Sequence, residues 1–169
     1  MKKMMLVVAL MMVSNFAFSK VTVGIINIQK IIATVKEGKS ADKKLKKSYN
    51  DKKKRLETEK KSIVDLQKKL EKQSLVMSAK AKNKKMMELQ AKMKAFQEKM
   101  MAADKDIKKQ QDQLKRPILE KLKTIIEGIS KNEGVDITVE LSSSPLVYAA
   151  NKIDLTQKVI TEYDKKHSK

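Results

Sequence analysis

Cysteine and tryptophan are absent from this 169-residue chain, and histidine occurs once, at His167. Without thiols there can be no disulfide framework, no thiolate nucleophile and no Cys-ligated metal. The fold must therefore rest on packing or on association between subunits. His167 sits in a Lys-rich C-terminal tail, where a solvated side chain is expected. No Gly-rich phosphate loop is present, and Ser142 to Ser144 lack both an adjacent base and the glycines of a nucleophile elbow. No catalytic, metal-ligating or cofactor-binding residue is assigned, which speaks against an enzyme and against an ATP-driven machine.

Proline and glycine are scarce, with two and four occurrences, and their placement divides the chain. Gly24 and Gly38 come early, and Pro117, Gly128, Gly134 and Pro145 come late. The stretch from 39 to 116 holds neither and is rich in Lys, Glu, Gln, Met, Ala and Leu, a composition that favours helix throughout.

Long apolar runs are missing beyond the N-terminus. There, Lys2 and Lys3 precede an apolar stretch from Met4 to Val13, followed by Ala17, Phe18 and Ser19. This order predicts an export signal over 1–19, cleaved after Ser19, and hence delivery across the inner membrane to the periplasm. An uncleaved N-terminal anchor is the alternative.

What the sequence has in excess is positive charge. Lys and Arg number 39 against 20 Asp and Glu, a formal net of +19. Between Lys39 and Arg116 there are 26 basic and 11 acidic residues, a net of +15, whereas from Pro117 onward the two signs balance. The central segment is therefore the part expected to meet acidic or anionic partners.

Apolar spacing within that segment predicts a coiled coil. One heptad register runs Leu45, Tyr49, Lys52, Leu56, Glu59, Ile63, Leu66, Leu70, Gln73 and Met77, and a second runs Met86, Leu89, Met93, Phe96, Met100, Ala103, Ile107, Gln110 and Leu114. The registers do not join, because extending the first lands on Lys80 and Lys84. Two helices in an antiparallel hairpin, with the tip near 78–85, account for the break; one continuous rod-like helix is the alternative.

The flanking segments predict a small base, formed by 20–38 with 117–169. Val21 to Asn27 reads as a buried strand, followed by Ile28, Ile31, Ile32 and Val35 at helical spacing. Ile118, Leu122, Ile125 and Ile129 continue a helix that Gly134 should end. Val135 to Glu140 reads as a second strand, Ser142 to Pro145 as a turn and Leu146 to Ala149 as a third strand. Asp154 should cap a last helix that carries Leu155, Val159, Ile160 and Tyr163. The fold class is α+β and predominantly helical: a long antiparallel coiled-coil arm over 39–116 projecting from a small β-containing association base.

Methionine is the informative residue of the arm. Once the leader is removed, the six that remain are Met77, Met86, Met87, Met93, Met100 and Met101. Met86, Met93 and Met100 join Leu56, Ile63, Leu66, Leu70, Leu89 and Phe96 in the seam and are expected to face the partner helix. Met87 and Met101 lie one residue off it. Flexible thioethers adapt to many partner shapes, which makes these two candidates for contact with non-native protein, a wider helix interface being the alternative. Lys80, Lys82, Lys84 and Lys85 are candidates for attracting acidic clients or anionic headgroups, a solvated basic loop being the alternative.

The order of parts resembles the Skp/OmpH family over essentially the whole chain after the leader. The specific pieces are the opening strand and helix, Val21 to Val35, with Gly134-Val135-Asp136-Ile137-Thr138-Val139, Val147-Tyr148, Asp154-Leu155-Thr156 and Val159-Ile160. The resemblance implies a homotrimer whose bases associate while three hairpins enclose a cavity. It also implies a periplasmic holdase that binds unfolded outer-membrane proteins without nucleotide or cofactor, and contact with anionic lipid or lipopolysaccharide. Other classes fit less well. A basic nucleic-acid binder suits the charge, but the arm lacks stacking aromatics other than Tyr49 and Phe96 and has no groove-binding motif. A prefoldin-like hexamer conflicts with the export signal, and a structural coiled coil of the envelope would hold no unfolded protein.

Overall fold

The computed structural model describes residues 20–144 and 146–167. The leader expected over 1–19 and Pro145 of the expected turn lie outside the described residues. In chain order the elements are β1 (Val23–Ile26), α1 (Ile28–Thr34), α2 (Lys36–Gln73), α3 (Ala79–Asn132), β2 (Ile137–Glu140), β3 (Lys152–Asp154) and α4 (Thr156–His167).

The base is a three-stranded parallel sheet in the order β2-β1-β3, with β1 in the middle. Val23 lies opposite Ile137 on one side and Lys152 on the other. Parallel neighbours require a crossover connection, and between β1 and β2 that crossover is the entire helical arm. Gly24 sits at the crowded centre of the sheet. A Cβ there would come within 2.9 Å of both Leu155 Cδ1 and Val135 Cγ1 and 3.0 Å of Thr138 Oγ1, so the strand needs glycine for space.

The third strand differs from the expectation. Leu146 to Ala149 is not a strand, and Lys152–Asp154 takes the free edge of β1 instead. Bonds from Val23 N–H to Asn151 C=O (3.0 Å) and from Leu155 N–H to Ile25 C=O (2.9 Å) continue that edge. The apolar run at 146–149, with Val147 and Tyr148, has the higher strand propensity, but the shorter polar run is the one adjacent to α4 and so within reach of β1.

Helices cover the sheet. Ile26, Ile31, Val35, Ile118, Leu122, Ile125, Leu155, Val159, Ile160 and Tyr163 form one buried cluster, and Ile118, Leu122 and Ile125 project from α3 at the expected helical spacing. Two capping residues lock the ends of α1 and α4 together. Asn27 Oδ1 accepts from Lys30 N–H at 2.8 Å, while its own N–H donates to the buried Thr156 hydroxyl at 3.1 Å. Asp154 accepts from Thr156 N–H at 2.8 Å, as a helix-opening carboxylate should. At the other end of α3, Gly134 takes φ +63°. Gly134 N–H bonds Lys131 C=O and Val135 N–H bonds Ser130 C=O, the Schellman pattern that glycine permits. His167 is half-buried rather than solvated, its ring 4.9 Å from that of Tyr163.

The arm is a helical hairpin. At about 1.5 Å per residue, α2 extends roughly 57 Å. Three ion pairs fix the antiparallel register: Glu37 with Lys121 (2.8 Å), Lys52 with Asp106 (2.7 Å) and Glu59 with Lys99 (2.5 Å). The two residue numbers add to the same value in every pair, so the register does not slip between the base and mid-arm. The turn falls at Ser74 to Ser78, earlier than the expected 78–85. Ser78 is the N-cap of α3, its hydroxyl accepting from Ala81 N–H at 3.3 Å, so Lys80, Lys82, Lys84 and Lys85 form the first two turns of a helix and not a loop.

Candidate functional site

A root, a groove and a tip follow one another along the arm. At the root the chain breaks between α1 and α2 at Val35, which is extended (ψ 148°) and fully buried. Tyr163 hydroxyl donates to Glu37 Oε2 at 2.5 Å, and Lys121 ammonium donates to both Glu37 oxygens at 2.8 Å. Burial raises the Glu37 pKa, but the hydrogen bonds from Lys121 and Tyr163 and the Lys121 charge outweigh it and leave the carboxyl below its ordinary value. Burial, with the carboxylate beside it, pushes the Tyr163 hydroxyl upward. One carboxylate thus ties α2, α3 and α4 together where the arm leaves the base.

In mid-arm the two edges of the hairpin differ. One edge is closed by the ion pairs Lys52–Asp106 and Lys99–Glu59. Lys52 hydrogen-bonds Asp106 and holds its carboxyl below the usual carboxylate range. Between the helices lies a groove of about 270 Å³, with Tyr49 and Leu56 on one wall, Phe96, Met100 and Ile107 on the other, and Lys52, Lys53, Lys60, Glu57 and Asp104 around it. Met101 stands one helical turn before Asp104, and Met87 stands two heptads before Met101. The pair therefore shares the Asp104 side of α3, outside the groove's own lining. The side chains of Met87 and Met101 are 70% and 72% exposed.

The seam is less covered than its heptad pattern predicts. Ile63 is buried, and Leu56, Leu66, Leu70, Leu89 and Phe96 are half-buried, but Met86, Met93 and Met100 keep 42–48% of their surface in solvent. Two helices can cover only one side of each other, so a seam of a single hairpin stays open along its flanks. The methionines expected as core are instead continuous with the exposed pair.

At the tip, Leu75 and Val76 are 92% and 86% exposed. Neither residue stands out by heptad spacing as a candidate contact, although both fall off the first register, between Gln73 and Met77, where apolar side chains have no seam to enter. Lys80, Lys82, Lys84 and Lys85 follow within two turns and are all exposed. Lys85 pairs with Glu88 at 3.0 Å, and that hydrogen bond holds the Glu88 carboxyl below its usual range. Among the described residues the other three lysines make no ion pair. An apolar pair is thus flanked by unneutralised positive charge.

Among the described residues no cluster of three or more His, Asp or Glu could hold a metal ion, and no helix is long and apolar enough to cross a membrane. The arrangement offers instead an adaptable apolar surface within a basic field, which suits the holding of flexible chains.

Fold and site together define a class: a small α/β base carrying a helical hairpin with unpartnered apolar surface toward its end. The chain belongs to the OmpH-like family, described as outer membrane protein (OmpH-like), whose family profile matches residues 22–163. Among solved structures it is similar to a candidate outer membrane chaperone (OmpH-like) from Caulobacter crescentus. That match has a TM-score of 0.71 at 20% identity and covers 86% of this chain and 85% of that one. A search of curated proteins returns no match.

Proposed function

We propose that this protein is an ATP-independent holdase of the periplasm that binds unfolded outer-membrane proteins and keeps them from aggregating. The observation that carries this reading is the unpartnered apolar run from the mid-arm groove through Met101, Met93 and Met87 to Leu75 and Val76. Exposed apolar side chains grouped along one arm, rather than scattered singly, mark an interaction site. It lies on an arm of net charge +15, which suits acidic clients by steering their approach. The same lysines at the tip, Lys80, Lys82, Lys84 and Lys85, suit anionic lipid or lipopolysaccharide headgroups.

Holding is a task for several arms together, and the reading includes a homotrimer. Val147 and Tyr148 project from the base 96% and 81% exposed, Leu141 and Leu146 are exposed close by in sequence, and Ile137, in register with Val23, and Val21 are exposed elsewhere on the base. A base with so few buried residues gains stability by covering that surface with other copies.

The test is light scattering of the protein alone and with a urea-unfolded outer-membrane barrel diluted into buffer. A trimer mass and suppressed aggregation at stoichiometric ratio are expected. A monomer that leaves aggregation unchanged would sink the reading and favour a structural coiled coil. Raising the salt toward molar, where the Debye length falls to about 3 Å, should slow capture while leaving the apolar contribution in place.

A further inference from the structure

From the placement of sulfur in this chain we infer that Met87 and Met101 form a reversible oxidation site that switches off client capture; this rests on the holdase reading above. Once the leader is removed, no sulfur lies outside residues 77 to 101, and there is no thiol anywhere to intercept an oxidant. Among the described residues the buried core contains no methionine. Met87 and Met101 are the most exposed methionines among the described residues, at 70% and 72%, each next in sequence to a seam methionine, Met86 or Met100, and Met100 lines the groove. An oxidant in the envelope therefore meets the sulfur of the holding surface before any that supports the fold.

The chemistry is transfer of one oxygen atom from a peroxide. A thioether lone pair attacks the terminal oxygen, the O–O bond breaks and an S–O bond forms. Sulfur loses two electrons, the peroxide gains them, and with hydrogen peroxide the other product is water. The side chain passes from flexible and apolar to polar and chiral, and methionine sulfoxide reductases reverse the change with thiol reductant. A sulfoxide pressed against an apolar client segment loses hydration without recovering it, and the two together weaken capture by roughly tenfold. Because these side chains stand in solvent, the hairpin keeps its register.

The experiment treats the protein with hydrogen peroxide and maps sulfoxides by peptide mass spectrometry. It then measures the protein concentration needed to suppress aggregation of a urea-unfolded outer-membrane barrel. Sulfoxide at Met87 and Met101 ahead of Met77, Met86, Met93 and Met100 is expected. Capture should weaken by roughly tenfold or more, with unchanged circular dichroism and assembly mass, and reductases of both stereospecificities should restore it. The M87L/M101L variant, measured before and after the same treatment, should lose a much smaller fraction of its own untreated capture than the wild type loses. Unchanged capture by the oxidised protein, or an equal loss in the variant, overturns the inference while leaving the holdase reading intact. Untreated protein that fails to capture overturns both.

Discussion

Tyr163 and Glu37 show what a single hydroxyl does in this molecule. Replacing Tyr163 with Phe removes the donor to a carboxylate and keeps the ring, so the expected cost is about 1–2 kcal/mol, read as a lower thermal midpoint. The pH dependence follows from the directions of the two shifts. Glu37 lies below its ordinary value of 4.5 when folded, so its contribution is present above that pH and is lost as pH falls through the folded value. Tyr163 lies above its ordinary value of 10.0, so its contribution is present below that pH and is lost as pH rises through the folded value. Thermal melts across pH should show both losses in the wild type and a smaller acid-side loss in Y163F. Met87 and Met101, exposed on the arm, belong to the proposed client surface and should therefore contribute to binding and not to folding. The M87Q/M101Q variant should weaken capture of an unfolded barrel about tenfold while shifting the thermal midpoint little, since surface substitutions away from packed features change stability by about 0.5 kcal/mol or less. Equal loss of both would place these side chains in the helix interface.

At the scale of elements, the joint between α1 and α2 sets where the arm starts. Gly38 lies in the first turn of α2, and a Cβ there would stand 1.7 Å from the backbone oxygen of Ile32. No side-chain adjustment relieves a clash with backbone. G38A should therefore destabilise by more than about 3 kcal/mol, as overpacking that forces backbone shifts does at its upper end, and should shift the amide spectra of α1 and the start of α2. The long helices themselves were legible: absence of Gly and Pro, together with two heptad registers, marked both. Their turn was legible only to within a few residues. The second register resumes at Met86, so the lysines before it looked like loop. In fact a serine cap starts the helix eight residues earlier, and lysines tolerate a helix interior well. The strand at 152–154 was not legible at all, because a short polar run becomes a strand only when a neighbour's free edge lies beside it.

For the whole molecule, the thin core and the exposed base segment make one prediction. Val147 and Tyr148 changed to Asp and Ser should reduce the mass in light scattering toward a single chain at micromolar concentration, with the helical signal of the arm retained. Persistence of the assembly would move the interface elsewhere on the base. Loss of assembly should also weaken capture of a barrel client, since one arm offers a groove of only about 270 Å³ against the several that linked arms present together.

By itself the sequence determined the α+β class, the helical arm, the stop at Gly134, the packing face of α3 and the concentration of charge and methionine in one segment. These are set locally, by propensity, spacing and composition, and so can be read in one dimension. Tertiary structure alone decided which run pairs with β1, where the hairpin turns, and how Glu37 meets Lys121 and Tyr163. It also decided that the seam methionines stay open to solvent. Each of these depends on groups far apart in the chain competing for the same edge, partner or cover, and only the folded arrangement fixes which one is near enough to win.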